Sequence, residues 1–434
     1  MLQINSLLQK VISIFIKKSA VFLIAFLVMI IQARVLGAEA RGLLAMLLVL
    51  PNLFLIIAES GMRQSTTYFL GKKEHNEKEV LSTSSTFFIS SALIFTIILY
   101  IAQLYYFEGK SIDKELIVIS CLGLPFLVIN SGYRGILLGY KKTAEFGNNL
   151  LYPKVFQFIL IIILFSLALL DLKSVLIVFV LICFANFLAG WFSVNKLSIR
   201  TSISSFKIPL LVKMLKLGAV FGLSFFFVNL NYQIGIIVGQ KNLSSEAVGN
   251  YAVTIQVAEL IWQLPAAVSI VFFSESMTKL KHDIKWAHTI AKVCRVQSFI
   301  TLLICLIGWP ACKYILPYII GEDYNLVANT FLFLIPGIIM MSIFKVINVD
   351  FAGRGKPWIA LLFMPVIALL NYLLSVKLSI VYGLDGLAIA VSISYLIASL
   401  IAICIYSFLF KVKINSFLFP RLSDFSLSRK KINH

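Results

Sequence analysis

Twelve long apolar runs, separated by short polar breaks, decide what this chain can become. They fall at roughly 19–37, 43–61, 82–103, 116–138, 146–170 and 174–195, then at 217–239, 251–273, 296–316, 326–348, 358–379 and 384–410. Each is close to the ~20 residues that an α-helix needs to cross a ~30 Å hydrocarbon layer. In lipid the backbone must satisfy its own hydrogen bonds, so runs of this kind become helices. The composition agrees, with 60% hydrophobic and 13% charged residues. A soluble domain carries nearly twice that charge. The expectation is an all-α integral membrane protein with twelve transmembrane helices, numbered here as spans 1–12.

The placement of lysine and arginine gives an orientation. Of the 38 basic residues, 30 lie at the N-terminus, after spans 2, 4, 6, 8 and 10, and in the tail, leaving 8 for the opposite loops. Basic loops stay in the cytoplasm, so both termini of a multi-pass membrane protein are expected there. Nucleic-acid binding is rejected despite the net charge of +19. The cations sit in short patches rather than along one face. Lys10, Lys17 and Lys18 precede the first run as they would in a signal peptide, but no small-residue cleavage site follows. That segment reads as an uncleaved first helix.

The chain repeats itself at half its length. Glu39-Ala40-Arg41-Gly42-Leu43-Leu44-Ala45 returns 207 residues later as Glu246-Ala247-Val248-Gly249-Asn250-Tyr251-Ala252. A G-x-x-K pattern in Gly139-Tyr140-Lys141-Lys142 returns in Gly353-Arg354-Gly355-Lys356 at an offset of 214. Two landmarks at nearly one offset predict a duplicated bundle, as in many carriers. The expected organisation is a six-helix bundle over 1–195, a cytoplasmic linker over 196–216, a second six-helix bundle over 217–410 and a cytoplasmic tail over 411–434. A pseudo-two-fold axis would relate the bundles. The linker reads either as a stretch lying on the inner membrane surface (Ile203, Phe206, Ile208, Leu210 and Leu211 among lysines) or as a plain tether. The tail reads as a disordered end.

Polar residues inside the runs are the candidate site, because a charge in hydrocarbon needs a partner or water. Arg63, Arg134, Lys154 and Lys345 lie near the cytoplasmic ends of spans 2, 4, 5 and 10. Each alone is explained by snorkelling to the inner surface; facing inward together, they would ring the mouth of a cavity with positive charge. Such a ring fits an anionic substrate, phosphate above all. Asn229 and Asn231 in span 7 serve either helix packing or sugar hydroxyls, and Gln233, Gln256 and Gln263 are similar. Glu59 and Glu259 occupy spans 2 and 8, corresponding helices of the halves, and are the candidates for coupling to protons or sodium. The plain alternatives are water at Glu59 and a basic neighbour at Glu259. Pro125, Pro153, Pro265, Pro336 and Pro365 are either ordinary membrane-helix residues or hinges.

Enzyme signatures are missing. His75, His282, His288 and His434 show no metal spacing, and there is no P-loop. The six cysteines contain no C-x-x-C and read as small core residues. The expectation is a transporter with no cofactor and no metal.

Three stretches resemble bacterial O-antigen and polysaccharide-unit flippases of the multidrug/oligosaccharidyl-lipid/polysaccharide (MOP) exporter superfamily. They are Ala33 through Ala45, Leu230-Asn231-Tyr232 with Val248-Gly249-Asn250-Tyr251-Ala252, and Tyr382-Gly383-Leu384-Asp385-Gly386-Leu387-Ala388. The resemblance covers the whole chain through loose, glycine-based motifs. It implies alternating access between two six-helix bundles, with undecaprenyl-diphosphate-linked oligosaccharide as cargo. It also implies membrane lipid, polysaccharide polymerase and chain-length proteins as partners. Where many relatives carry a basic residue and an acid after the Asn-Tyr of span 7, this chain has Gln233 and Gly235. The coupling role of that acid is not carried over. A cation-coupled drug antiporter of the same superfamily and a membrane polymerase or acyltransferase are the competing readings.

Overall fold

The computed structural model describes residues 2–73, 75–110, 112–197, 205–262 and 284–418, together with 420, 421 and 424; for 2–15 it describes the backbone alone. Arg200, Ile203, Gln263, Pro265, Lys281, His282, His434 and the end of the tail lie outside the described residues. Among those described there is no strand, and nine helices are long and apolar enough to cross a membrane. Two of the nine carry two spans each: Ile16–Lys72, of 57 residues, and Trp358–Phe410, of 53. They bend at Gly37 (φ 70°) and Gly383 (φ 58°), left-handed conformations that glycine adopts without strain. The other seven take spans 3–7, 9 and 10, while span 8 enters as Ser245–Ile261. This is a multi-pass membrane protein, and the twelve expected spans are all accounted for or begun.

The repeat seen in the sequence is a repeat in space. Gly42 packs so tightly that an added Cβ would lie 1.8 Å from the Ser245 carbonyl oxygen, and one on Gly249 would lie 1.8 Å from that of Ala38. Ser245 follows Ala38 by the same 207 residues that separate Gly249 from Gly42, so the contact is its own mirror across a two-fold axis. Small residues let the two backbones meet there. The second echo closes two identical helix ends. Lys142 N–H donates to the Leu137 carbonyl and Lys356 N–H to that of Phe351, both at 2.8 Å. Lys141 and Gly355 sit between, left-handed at φ 57° and 74°. Both are Schellman caps.

Two segments differ from expectation. The helix of span 7 begins at Ile208, nine residues before the expected 217. Ile208, Leu211 and Leu215 recur at helical spacing here, and Leu210 and Met214 bury against Met62, Leu70 and Val80 of the first half. Lys207 anchors the start through Glu79 at 2.6 Å. The described part of the tail is likewise packed rather than loose: Asn415–Leu418 is helical and Phe417 is fully buried against Tyr406. Of the six cysteines, five are buried, and all are free thiols.

Candidate functional site

Between the halves lies a cavity of about 400 Å³. Its wall comes from both kinked arms of Ile16–Lys72, from the helices of spans 5, 6 and 7, and from Ser245–Ile261. Most of the wall is apolar. The polar exceptions are two cations, Arg41 and Lys154, five carboxamides, Gln32, Asn52, Gln157, Gln233 and Gln256, and one acid, Glu259.

Arg41 stands one turn beyond the Gly37 bend, so the bend aims it inward. It is 5% exposed, donates to Gln32 Oε1 at 3.1 Å and Gln256 Oε1 at 2.7 Å, and its Nε has no protein partner. Lys154 lies midway along Thr143–Ser166 and donates to Gln157 Oε1 at 2.9 Å. A carboxamide accepts a hydrogen bond without cancelling charge, so both cations present their charge to the cavity. Arg41 does not stand out in the sequence as a site residue, because it falls in an apparent polar turn between two apolar runs. The helix instead resumes at once after Gly37. The repeat motif in which Arg41 sits was the available signal.

Behind the wall, further cations lead from Lys154 toward the end that carries the basic loops. Arg134 lies within electrostatic reach of Lys154 and of Arg63, and Arg63 within reach of Lys18. Arg134 is clamped by neutral groups: its Nε donates to Asn149 Oδ1 at 2.6 Å and its Nη2 to Asn186 Oδ1 at 3.1 Å. Asn149 is paired in turn with Asn130 at 3.0 Å. Arg63 meets Glu59 at 3.6 Å across a break in span 2, where Ser60 and Gly61 are both left-handed. Ser91 Oγ donates to the Ala58 carbonyl at 2.7 Å, satisfying backbone that the break exposes.

Of the expected residues, the cavity wall brings together Lys154 and Glu259. Arg134 and Arg63 stand behind Lys154, and Glu59 is held by Arg63. Lys345 packs over the rings of Trp262 at 4.6 Å and Tyr232 at 5.0 Å. Asn231 is fully buried and accepts from Asn371 Nδ2 at 2.8 Å, a contact between spans 7 and 11. Asn229 donates to the Phe225 carbonyl of its own helix at 2.8 Å. Neither asparagine is in the cavity wall.

The end of the cavity away from the basic loops is tied shut across the halves. Arg34 Nη1 donates to the Ile319 carbonyl at 2.7 Å, and Tyr324 OH to the Ala33 carbonyl at 3.0 Å. Lys110 reaches the Gln240 carbonyl, and Gln240 Nε2 donates to that of Tyr106 at 3.1 Å.

With this geometry in view, a family model described as "Polysaccharide biosynthesis protein" matches residues 7–273. No curated protein matches in sequence. Among solved structures, the lipid II flippase MurJ in an inward closed conformation superposes with a TM-score of 0.71 at 16% identity, covering 94% of this chain and 89% of that one. An inward-facing multidrug resistance MATE family transporter of the MOP superfamily gives 0.62 at 15% identity, with 89% and 95% covered. A MOP superfamily transporter from Pyrococcus furiosus, described as having a binding pocket of reverse polarity, gives 0.60 at 14% identity, with 94% and 95% covered. These likenesses establish the fold.

Proposed function

The chain belongs to the polysaccharide biosynthesis protein family, and from that premise we propose that it is a flippase for lipid-diphosphate-linked oligosaccharide. The cargo, an O-antigen or capsule repeat unit on undecaprenyl diphosphate, would pass from the cytoplasmic to the outer leaflet of the bacterial inner membrane. The basic face is then cytoplasmic, and the tied end faces outward.

One observation carries this reading: the cavity wall offers two cations and five carboxamides against a single acid. The cost of moving a diphosphate through hydrocarbon is set by the Born term, ~20 kcal/mol per ion in the idealised limit. Arg41 offers the phosphate a planar pair of donors and Lys154 a point charge. The carboxamides donate and accept as sugar hydroxyls require. The lipid tail stays in the bilayer while the head enters the cavity. An inside-negative potential favours outward movement of an anion by about 2.3 kcal/mol per charge per 100 mV. The cations of the basic face, Lys18, Arg63 and Arg134, supply the approach. A drug–cation antiporter would want the opposite balance of charge in the wall.

The test is Arg41→Gln and Lys154→Gln, singly and together, in a strain whose surface polysaccharide depends on the protein. Surface polysaccharide falls at least tenfold in each single variant, while membrane protein levels hold. Normal export by the double variant would overturn the proposal. Reporter fusions at Lys110 and Lys173 (outside) and at Lys141 (inside) check the orientation.

A further inference from the structure

The ties at the closed end come in pairs related by the two-fold axis. Tyr324 OH donates to the Ala33 carbonyl, and Lys110 donates to that of Gln240, the residue 207 positions after Ala33. Arg34 donates to the Ile319 carbonyl, and Gln240 Nε2 to that of Tyr106. Tyr106 and Ile319, like Lys110 and Tyr324, stand apart by nearly the offset of the second echo. The four acceptors are backbone carbonyls in the last turns before a helix ends or bends. Water can take over such groups when the ends part.

A further tie across the halves has no counterpart. Arg41 Nη2 donates to Gln256 Oε1 at 2.7 Å. At the 207-residue offset the equivalents of Arg41 and Gln256 are Val248 and Val49, 0% and 1% exposed, which cannot make such a bond. The tie also differs in kind. It joins two side chains, and both belong to the cavity wall, where a cargo meets them. Gln32 takes Nη1 at 3.1 Å, and Nε has no protein partner. A phosphate that grips the side edge of a guanidinium takes Nε together with Nη2. Nη2 is the nitrogen that Gln256 holds. The phosphate brings a full charge to it, and the carboxamide only a dipole.

We propose that Gln256 is a latch on Arg41: it ties the cargo-binding cation to the opposite half, the anionic head of the cargo displaces it, and the outer end is then free to open. This deepens the flippase reading, since it rests on Arg41 meeting a diphosphate. Gln256 is a positioning residue that acts through Arg41. The empty carrier stays shut at its outer end because the tie forms when no anion is present. Coupling of this kind is reciprocal, so breaking the tie strengthens anion binding by the factor with which anion binding favours opening.

The probe is farnesyl diphosphate, with farnesol as the uncharged control, and titration calorimetry of purified protein reads the affinity. Gln256→Met keeps the side-chain length and removes the acceptor. It binds farnesyl diphosphate about tenfold tighter, as expected for losing one competing hydrogen bond to a charged group. A carboxamide that served as a direct ligand or as plain packing would give weaker or unchanged binding, and either result overturns the proposal. Opening is read by maleimide labelling of Ala33→Cys, in protein whose exposed Cys404 carries Cys404→Ser. Ala33 is fully buried at the Tyr324 tie. Farnesyl diphosphate speeds labelling about tenfold, farnesol does not, and Gln256→Met labels fast with no ligand. Labelling that farnesyl diphosphate leaves unmoved overturns the proposal and needs no change at Gln256. Normal export by the Arg41→Gln/Lys154→Gln variant defeats the flippase reading, while the affinity of Gln256→Met still decides the latch.

Discussion

In the N-terminal half the cations within the bundle are held by carboxamides, and in the C-terminal half by carboxylates or aromatic rings. Arg41 bonds Gln32 and, across the halves, Gln256; Arg134 bonds Asn149 and Asn186; Lys154 bonds Gln157. Opposite them, Arg354 pairs with Asp350 at 2.8 Å, both side chains fully buried, and Arg295 pairs with Asp424 at 2.7 Å. Lys345 lies over the rings of Trp262 and Tyr232, in the field of Glu259. An amide satisfies the donors of a cation and leaves its charge in place. A carboxylate satisfies the donors and cancels the charge. The first half therefore keeps a positive field at the cavity, whereas the charges of the second are neutralised within its own architecture. Arg63, paired with Glu59, is the exception in the first half, and it lies behind the wall.

Breaking this contrast in the C-terminal half produces the largest effect. Asp350 accepts from Arg354, from Tyr406 OH at 2.7 Å and from Trp286 Nε1 at 2.9 Å, and Arg354 also covers the Phe410 ring at 4.1 Å. Arg354→Met takes a guanidinium away from a buried carboxylate and costs about 3–5 kcal/mol. Arg134→Met breaks hydrogen bonds to neutral amides and costs about 1–3 kcal/mol. Thermal unfolding of the two purified variants checks the ratio, and equal losses would erase the distinction between the halves. Asp350→Asn/Arg354→Met recovers part of the loss, because the residues interact directly.

Much of this was legible in the sequence, though not the facing of individual side chains. Run length and loop charge gave the spans, since hydrocarbon thickness acts on any helix regardless of its neighbours. The repeat gave more than topology. Its two copies, centred on Gly42 and Gly249, are the surfaces that meet on the axis. Which cation faces the cavity depends on helix rotation and on bends, and a bend at Gly37 turned an apparent loop residue, Arg41, into wall. Lys345 was grouped with the other cations because depth can be counted along a helix. Its rings come from positions 232 and 262, which nothing local connects to it. The early start of span 7 was hidden by Lys207, Lys213 and Lys216, which mask an apolar stripe of helical period.

The contrast can be sharpened inside the N-terminal half by converting it to the rule of the other. Gln157→Glu gives Lys154 a carboxylate in place of an amide, with the geometry nearly unchanged. A cancelled charge lowers export about tenfold, equivalent to ~1.4 kcal/mol of lost attraction, while the melting temperature stays level or rises. Surface polysaccharide and thermal unfolding measured on one preparation decide it. Undiminished export would mean that Lys154 acts through its hydrogen bonds and not its charge.

The smallest effect lies at the aqueous edge of the C-terminal half. Arg295 grips Asp424 through Nε at 2.8 Å and Nη2 at 2.7 Å, and its remaining amino group reaches the Ser416 carbonyl. These hydrogen bonds hold the Asp424 carboxyl down at about 2. A carboxyl whose pKa is lower folded than unfolded adds stability above its unfolded value of about 3.9 and loses it as pH falls toward the folded value. The grip on the segment after Phe410 is thus complete at neutral pH and fades between about pH 4 and pH 2. Hydrogen exchange at Asn415–Leu418 should quicken across that window while the spans stay protected. Asp424→Asn should show the faster exchange already at pH 7, with a change in melting temperature of no more than about 2 °C. Exchange in Asp424→Asn that matches the wild type at pH 7 would mean that Phe417, buried against Tyr406, holds the segment without help from the ion pair.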